Sequence, residues 1–443
     1  MKSLLTSSQP AAIGRLFAPP ATKQPMTVHR DTTRRVLFIG EAVTLAHVAR
    51  PIALARKLVD RGYRPIVATD ARFAALCPAE GWDTAEIRSI PTRDFLRSLA
   101  RGTPVYDLET LQRYVDDDLA LLRAVRPSVV IGDFRISLAV SARLVGVPYI
   151  NITNAYWSPY ARPRWHAPTM PWSRHVPAVL DDLLFRLARP AAFRLHAQPM
   201  QSLARRHGLP HKGLELRRVY TDGDLTVYAD SPALVPTFDR PSTHRYLGLI
   251  DWAPAVALPP WWDSPQAGAS AIYVTLGSSG NVARLPLILA GLARLGCPVI
   301  VATAGAEAPA SLPAHVHVAD YLPGDIVARR SCLVVCNGGS PTSHQALLAG
   351  VPVLGIPDNL DQVLNMTYLK EAGVGDWLAS RDISVDSIER MARRLIAEPQ
   401  FRRGAETLAA AERDRDIVGP LEDAIDELCS ARERNSQVSP AAS

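Results

Sequence analysis

The sequence predicts an α/β fold in which two doubly wound parallel sheets face each other across a cleft. Short apolar segments alternate with amphipathic helical segments twice, first over residues 34–250 and again over residues 269–415. The apolar segments are rich in valine and isoleucine without alternation, which is typical of parallel strands buried on both faces. A proline- and tryptophan-rich stretch without periodicity, residues 251–268, lies between the two halves and is predicted to be a linker. These observations favour two Rossmann-like domains.

Strand–helix–strand units can be followed in order along both halves. The predicted strands of the first half are RVLFIG, RPIVAT, SVVIGD and VPYINIT, with helices at HVARPIALARKLVDRG and ISLAVSARLVG. The predicted strands of the second half are AIYVTLG, CPVIVAT, HVHVAD, LVVCNGG and VPVLGIP, with helices at LPLILAGLARLG and TSHQALLAG. The charged segment 401–434 is predicted to be helical with a break at residues 419 and 420. Residues 416–443 therefore form a terminal helix and tail, which we expect to pack back onto the first domain.

Composition excludes several classes of protein. The chain has 443 residues, of which 47% are hydrophobic and 21% charged, and a formal net charge of +6, which is typical of a globular protein with sizeable cores. Its longest apolar runs fall short of the roughly 18 residues that span a bilayer, so an integral membrane protein is excluded. Residues 1–33 are basic and rich in small and polar residues, which predicts a disordered tail. Met26, just before the first strand, is a candidate for an alternative translation start.

Cysteine usage and charge distribution indicate where the protein works and with what. The five cysteines lie in apolar stretches, which favours reduced thiols and a cytoplasmic location. The basic residues are spread along the chain rather than gathered in blocks, and we expect no nucleic-acid partner. Zinc-type ligand spacings and a Walker A loop are absent from the sequence. We therefore expect neither a metal ion nor a cofactor.

A glycine pair follows one predicted strand and opens directly into a helix. Gly338 and Gly339 allow the backbone to approach a ligand closely, and the helix start near Ser340 and Thr342 presents free amides and the positive end of the helix dipole. This arrangement suits a pyrophosphate group without a metal ion. The glycines alone are equally consistent with a tight strand-to-helix turn that binds nothing.

The segment around this glycine pair, LVVCNGGSPTSHQALLAGVPVLGIPDNLDQVLNM, resembles the donor-site signature of family 1 glycosyltransferases. These are UDP-glycosyltransferase-like enzymes of the GT-B fold, and the resemblance, to the bacterial natural-product type, covers about residues 35 to 415. The matching positions are Gly338, Gly339, Thr342, Ala346, Leu347, Gly350, Val351, Pro352, Pro357, Asp361, Gln362 and Asn365. The resemblance implies that residues 34–250 bind the acceptor and that residues 269–415 bind a nucleotide sugar, which serves as a co-substrate.

The same resemblance implies a set of donor-binding residues. Tyr321, in DYLPGDIVA, would stack on the nucleobase, and the segment YVTLGSSG would lie near the diphosphate. Asp361 and Gln362 would bind the sugar hydroxyls. The full implied set is Gly277, Ser278, Ser279, Tyr321, Asn337, Gly338, Gly339, Ser340, Thr342, Gln345, Asp361 and Gln362.

Two residues match the catalytic positions of the family. His47 lies between the first strand and the first helix, where the resemblance implies the general base, although Ala46 replaces the motif glycine and the proline is shifted to Pro51. Asp133 ends a buried strand, where the resemblance implies the carboxylate that supports the histidine. An Asp at this position could also simply cap the following helix. The implied reaction is a metal-independent transfer of a hexose, with inversion, from a UDP- or dTDP-sugar to a hydroxyl group.

Three donor-site positions depart from the family pattern. Asn337 replaces a histidine and cannot carry positive charge, Pro341 replaces a glycine and has no N–H, and Gln345 replaces the glutamate that holds the ribose diol. UDP remains the first expectation, with dTDP close behind. These losses also support an alternative, a catalytically silent homologue that acts as a nucleotide- or partner-binding auxiliary protein.

The acceptor is expected to be hydrophobic. The loop of residues 154–175 contains Tyr156, Trp157, Tyr160 and Trp165 among prolines and arginines, and these four aromatic residues are predicted to line an acceptor pocket for a small molecule or a lipid. A basic aromatic loop of this kind can equally contact an anionic membrane peripherally, or can be a surface loop that packs on its own aromatic residues.

Overall fold

Two all-parallel sheets flanked by helices organise the chain in a computed structural model. The structure describes residues 33–77, 82–170, 172–263, 270–307, 312–313 and 315–438. The predicted basic tail lies almost wholly outside the described residues. The expectation of two parallel-sheet α/β halves is confirmed.

The first sheet comprises, among the described residues, seven parallel strands in the order β3-β2-β1-β4-β5-β6-β7. Its strands are β1 (Val36–Gly40), β2 (Ile66–Thr69), β3 (Asp83–Glu86), β4 (Val129–Asp133), β5 (Tyr149–Thr153), β6 (Leu225–Tyr228) and β7 (His244–Tyr246). The accompanying helices are α1 (Leu45–Val59), α2 (Thr92–Arg101), α3 (Leu108–Val125), α4 (Leu138–Leu144), α5 (Ala178–Arg206) and α6 (Leu216–Val219). The central strands β1, β4 and β5 are buried along their whole length, as their continuous apolar sequences require.

The second sheet comprises, within the described part of the chain, six parallel strands in the order β10-β9-β8-β11-β12-β13. Its strands are β8 (Ala271–Thr275), β9 (Val299–Ala302), β10 (Val316–Ala319), β11 (Ser331–Cys336), β12 (Val353–Gly355) and β13 (Gly375–Trp377). The helices of this half are α7 (Leu285–Ala293), α8 (Gly324–Arg329), α9 (Ser340–Leu348), α10 (Leu360–Glu371), α11 (Val385–Ala397) and α12 (Pro399–Arg413).

The last helix, α13 (Gly419–Val438), returns to the first sheet. Leu421 and Ile425 are fully buried in the cluster that contains Phe38 of β1. An ion pair of 2.8 Å between Arg34 and Asp426 adds a polar contact. The C-terminal segment therefore packs on the N-terminal half, as expected.

The strand order places a switch point in each sheet. The order reverses between β1 and β4 in the first sheet and between β8 and β11 in the second. Ligands bind α/β sheets in the crevice outside the carboxyl ends of the strands at such points, because the flanking loops diverge there. The segments that follow these four strands carry the predicted catalytic and phosphate-binding residues.

Candidate active site

A single large cavity of about 640 Å³ connects the two switch points. His47 and Asp133 line it from the first half, and Ser278, Asn337 and Asp361 line it from the second half. The structure thus brings the predicted base, its carboxylate and the predicted donor site into one space.

His47 and Asp133 form a hydrogen-bonded pair. Nδ1 of His47 lies 2.8 Å from Oδ1 of Asp133, which is completely buried, whereas the His47 side chain is 19% exposed. Because Asp133 is a hydrogen-bond acceptor, the contact assigns the imidazole proton to Nδ1 and leaves the Nε2 lone pair free. The pair can therefore accept a proton at Nε2 and stabilise the resulting imidazolium.

The His47 ring is also held by an aromatic contact. It stacks on Phe134 with centroids 4.6 Å apart and an interplanar angle of 12°. Phe134 has a φ of 57°, an uncommon backbone conformation for a bulky residue. Strain of this kind persists only where the surroundings impose it. Here the next residue, Arg135, is anchored by ion pairs of 2.8 Å to Glu41 and 3.0 Å to Asp118, all fully buried.

Arg50 is a site residue that the sequence reasoning missed. It lies one turn after His47 on α1 and is 5% exposed. Its Nη2 donates to Asp133 Oδ1 at 2.8 Å, and its Nε makes an ion-pair contact of 2.7 Å with Asp133 Oδ2. Burial lowers the pKa of Arg50, but the Asp133 carboxylate outweighs this effect and leaves the pKa above its usual value. Asp133 is therefore held by both its histidine and a permanent cation.

Arg50 also connects the base to the second half of the chain. Its Nη1 donates to Asn154 Oδ1 at 2.6 Å, and the Ser340 hydroxyl donates to the same oxygen at 3.4 Å. Ser340 is the first residue of α9, which begins the predicted phosphate site. The general base and the donor helix therefore share one hydrogen-bonded network.

The segments after β8 and β11 form the predicted phosphate site. Asn337 donates to the Ser279 hydroxyl at 3.0 Å and accepts from the Gly339 amide at 3.1 Å, so its side chain ties the two segments together. Helix α9 starts after Gly339 with proline in its first turn, where a missing N–H is tolerated. The amides of Ser340 and Thr342 remain as donors at the positive end of the helix.

Three predicted donor residues have structural roles. Two of them also line the cavity, and one does not. Gly338 does not line the cavity; its φ of 80° and its closeness to Met366 make it a turn residue. Gln362 accepts at 2.9 Å from the Asp358 amide and completes the capping box of α10, so its carbonyl oxygen is not free for a sugar. Gln345 lines the cavity but donates its amide to the Trp252 carbonyl.

Tyr321 and Asp361 both line the cavity. Tyr321 is 48% exposed, lines the cavity, and is oriented by a 3.2 Å hydrogen bond from its hydroxyl to the Ala304 carbonyl. Asp361 accepts a 2.7 Å hydrogen bond from the indole N–H of Trp157. The carboxylate of the second half is thus oriented by an aromatic residue of the first half.

The predicted acceptor wall needs correction, because of its four aromatic residues only Trp157 lines the cavity. Tyr156 is fully buried between the two halves. Both belong to a 3₁₀ helix, in which successive side chains point about 120° apart, so only one of them can face the cavity. Tyr160 packs edge-on against His244, and Trp165 packs edge-on against Phe193, behind the cavity surface.

Helices α2 and α5 supply a further part of the apolar wall. Phe95 of α2 and Phe185 and Phe193 of α5 line the cavity, together with Tyr220. His196 of α5 also lines it, and burial lowers its pKa, which favours a neutral ring. Apolar residues on more than one face of the segment 178–196 are the sequence signal that could have identified α5 as a wall.

The described residues contain no cluster of three or more His, Cys, Asp or Glu side chains that could hold a metal ion. Within the same residues, every helix is too short or too polar to cross a membrane.

Comparison with solved structures identifies the fold. The spinosyn forosaminyltransferase SpnP superposes with a TM-score of 0.64 at 20% identity, covering 89% of this chain and 99% of that one. Residues 286–418 match the family described as Erythromycin biosynthesis protein CIII-like, C-terminal domain. The chain thus has the GT-B fold of glycosyltransferases.

Comparison with related sequences identifies the family of the chain. It is 45% identical over 398 residues to a PGL/p-HBAD biosynthesis glycosyltransferase of Mycobacterium tuberculosis, covering 90% of this chain and 92% of the relative. It is 46% identical over 386 residues to a PGL/p-HBAD biosynthesis rhamnosyltransferase of Mycobacterium bovis, covering 87% and 86%. An inactive glycosyltransferase of M. bovis is 44% identical over 281 residues, covering 63% of this chain and 76% of that protein. The chain belongs to the family of the PGL/p-HBAD biosynthesis glycosyltransferases and is a hexosyltransferase.

Proposed function

We propose that the protein transfers a hexose from a nucleoside diphosphate sugar to a hydroxyl group of a large apolar acceptor, with inversion at the anomeric carbon. The observation that carries this proposal is the shared cavity. It is lined both by His47, whose Nε2 lone pair is free, and by the residues whose amides begin α9. An acceptor hydroxyl between them would have a base on one side and the sugar on the other.

In the proposed reaction, His47 Nε2 takes the proton of the acceptor hydroxyl as its oxygen attacks the anomeric carbon. The bond from that carbon to the diphosphate oxygen breaks, and its electron pair leaves with the nucleoside diphosphate. The negative charge that develops on the leaving oxygen is stabilised by the Ser340 and Thr342 amides and the Ser278 hydroxyl. Asp133, held by Arg50, stabilises the imidazolium.

For the donor, we propose a UDP- or dTDP-linked sugar of the 6-deoxyhexose class. The rhamnosyltransferase name of one relative supports a deoxyhexose. Gln345 already donates one amide hydrogen to the Trp252 carbonyl and lacks the carboxylate that would accept from both ribose hydroxyls, which weakens the dependence on a complete diol. Thermal-shift titration with UDP, dTDP, GDP and ADP identifies the base, since a ligand at about 100 times its Kd adds roughly 2.7 kcal/mol of stability.

For the acceptor, we propose a hydrophobic molecule, including one that carries a lipid chain. The cavity of about 640 Å³ extends from the predicted donor residues to a side lined by phenylalanine, leucine and alanine, which suits an apolar acceptor. Peripheral contact with a membrane forms part of this proposal, because a lipid-linked acceptor resides there.

Single substitutions in the base pair test the proposal. His47→Ala should abolish transfer and leave nucleotide binding intact, and Asp133→Asn should lower kcat by about 100- to 10,000-fold without unfolding the protein, by loss of general-base function. His166→Ala is a matched control, because His166 makes the same type of contact with Asp182, at 2.7 Å, but does not line the cavity. Normal turnover by His47→Ala would disprove the assignment of the base.

The alternative of a silent homologue is tested in the same preparation. It has support from the inactive relative and from Asn337, which is engaged with Ser279 and Gly339 rather than free. A glycosyltransferase hydrolyses its donor slowly without an acceptor, so release of free sugar that His47→Ala abolishes would exclude this alternative. Nucleotide binding with no transfer and no hydrolysis would support it.

A further inference from the structure

The outward face of α5 carries an unusual concentration of exposed apolar side chains. Val179 is 83% exposed and Leu187 is 71% exposed, and Leu180, Leu183 and Leu184 are each close to half exposed. Spacings of three and four residues place these five side chains on one side of the helix, in an arc of roughly 140°. We call them the outer face of α5. A cluster of this kind on a surface marks a binding site for another apolar phase.

The charges around the outer face have one sign. The exposed charged residues of α5 are Arg186, Arg194, Arg205 and Arg206, and among the described residues no carboxylate is within ion-pair distance of them. The two acidic residues of the helix turn inward, since Asp181 pairs with Arg381 and Asp182 pairs with His166. Arg186 lies within the segment of the outer face and Arg194 lies about two turns beyond it, and an apolar stripe with exposed basic neighbours is typical of a helix that lies in the interface of an anionic membrane.

The outer face is continuous with the acceptor side of the cavity. Leu184 is 47% exposed and also lines the cavity. Trp172, a few residues before the helix, is 51% exposed and lines the cavity too. Phe185 and Ala188, on the adjoining side of α5, lead inward from there. An apolar molecule can therefore move from this surface to the cavity without crossing a polar rim.

We propose that the outer face of α5 docks the protein on anionic lipid bilayers, with the acceptor side of the cavity opening toward the membrane. This inference rests on the proposed hydrophobic acceptor and specifies the surface through which it enters. Charge decides against a second copy of this chain as the occupant, because a self-contact through this face would bring arginine against arginine. Helix α5 would lie on the membrane rather than span it, because its inner face packs on the protein and lines the cavity.

Vesicle co-sedimentation without substrates tests the docking surface independently of transfer. The wild-type protein should bind vesicles of equal parts phosphatidylglycerol and phosphatidylcholine at least tenfold more tightly than pure phosphatidylcholine vesicles, and high salt should weaken this binding. The triple variant Val179→Ser, Leu183→Ser, Leu187→Ser should bind the anionic vesicles at least tenfold more weakly. The double variant Val256→Ser, Leu258→Ser changes exposed apolar residues elsewhere and should bind as the wild type does.

Each remaining outcome counts against the docking surface. Absence of wild-type binding, equal binding to both vesicle types, or equal weakening by the control variant would overturn it. A wild-type dimer that the triple variant converts to a monomer would show that the face is a self-interface. Circular dichroism melting verifies that the variants fold, and intact vesicle binding with no transfer activity would disprove the proposed function alone.

Discussion

The substitution Trp157→Phe tests the hydrogen bond from Trp157 to Asp361, which joins the two halves of the chain where the donor sugar is proposed to bind. The indole N–H donates to Asp361 at 2.7 Å, and the ring packs edge-on against Tyr220 with centroids 5.0 Å apart. Phenylalanine keeps the packing and removes only the donor. A hydrogen bond to a charged group contributes about 1.5–3 kcal/mol, which corresponds to roughly 10- to 150-fold. Because Asp361 is half-buried and water can replace the lost donor, we expect the lower end, about tenfold, in kcat/KM for the sugar donor.

The assay separates the sugar from the nucleotide. Steady-state kinetics with varied donor should show the loss, whereas binding of the nucleoside diphosphate alone, measured by thermal shift, should not change, because Asp361 is proposed to contact only the sugar. Trp165→Phe makes the same chemical change behind the cavity surface and should leave both quantities unchanged. An unaltered donor kcat/KM in Trp157→Phe, or an equal loss in Trp165→Phe, would refute the reasoning.

Three further substitutions test the surroundings of the site. Arg50→Lys keeps a charge but loses the paired contacts, so kcat should fall about 10- to 100-fold with an altered pH–rate profile, and an unchanged kcat would contradict a positioning role. Arg135→Met leaves buried carboxylates unpaired and should cost about 3–5 kcal/mol in denaturant unfolding, whereas Arg88→Met, at an exposed ion pair, should not differ measurably from wild type. Burial lowers the pKa of His244 to about 4 from 6.5, so the unfolded chain binds the proton first and stability falls as pH drops from 6.5 to 4. In His244→Gln, the decrease in Tm between pH 6.5 and pH 4 should be smaller than in the wild type. An equal decrease in both proteins would contradict the assignment of this pH dependence to His244.

The sequence predicted most of the central strands, whereas strands β3 and β13, each at the edge of its sheet, were not predicted. Strands β1, β4 and β11 are continuous apolar runs because neighbouring strands and helices cover both of their faces. Strand β3 has the polar sequence DTAE because it is an edge strand with mostly exposed side chains. Three-residue β13 is too short to show any periodicity. Edge position and length explain these two omissions, but the edge strand β10 was predicted from HVHVAD and the buried interior strand β6 was not predicted.

For the site, the sequence indicated position along the chain but not side-chain direction. His47, Asp133 and most donor residues follow strands, and the carboxyl ends of parallel strands meet at one edge, so their convergence was predictable. Arg50 was not, because an arginine one turn along an amphipathic helix normally faces solvent, and only tertiary packing shows that it faces Asp133. Tyr156 illustrates the opposite error, since an aromatic residue in a predicted acceptor loop is turned into the core by a 3₁₀ helix.

The contacts across the cleft imply that the base and the donor site are organised together. Asn154 Oδ1 accepts from both Arg50 and Ser340, so the residue that orients Asp133 and the first residue of α9 are tied to the same side chain. A diphosphate that draws the Ser340 hydroxyl toward itself would remove one of these two hydrogen bonds, which couples the proposed donor site to the side chain that holds Arg50. Separation of the two halves would break two hydrogen bonds across the cleft, from Ser340 to Asn154 and from Trp157 to Asp361. The proposed base and donor site are therefore linked by direct contacts only while the two halves are assembled, which would limit reaction of the sugar with water in an open cleft.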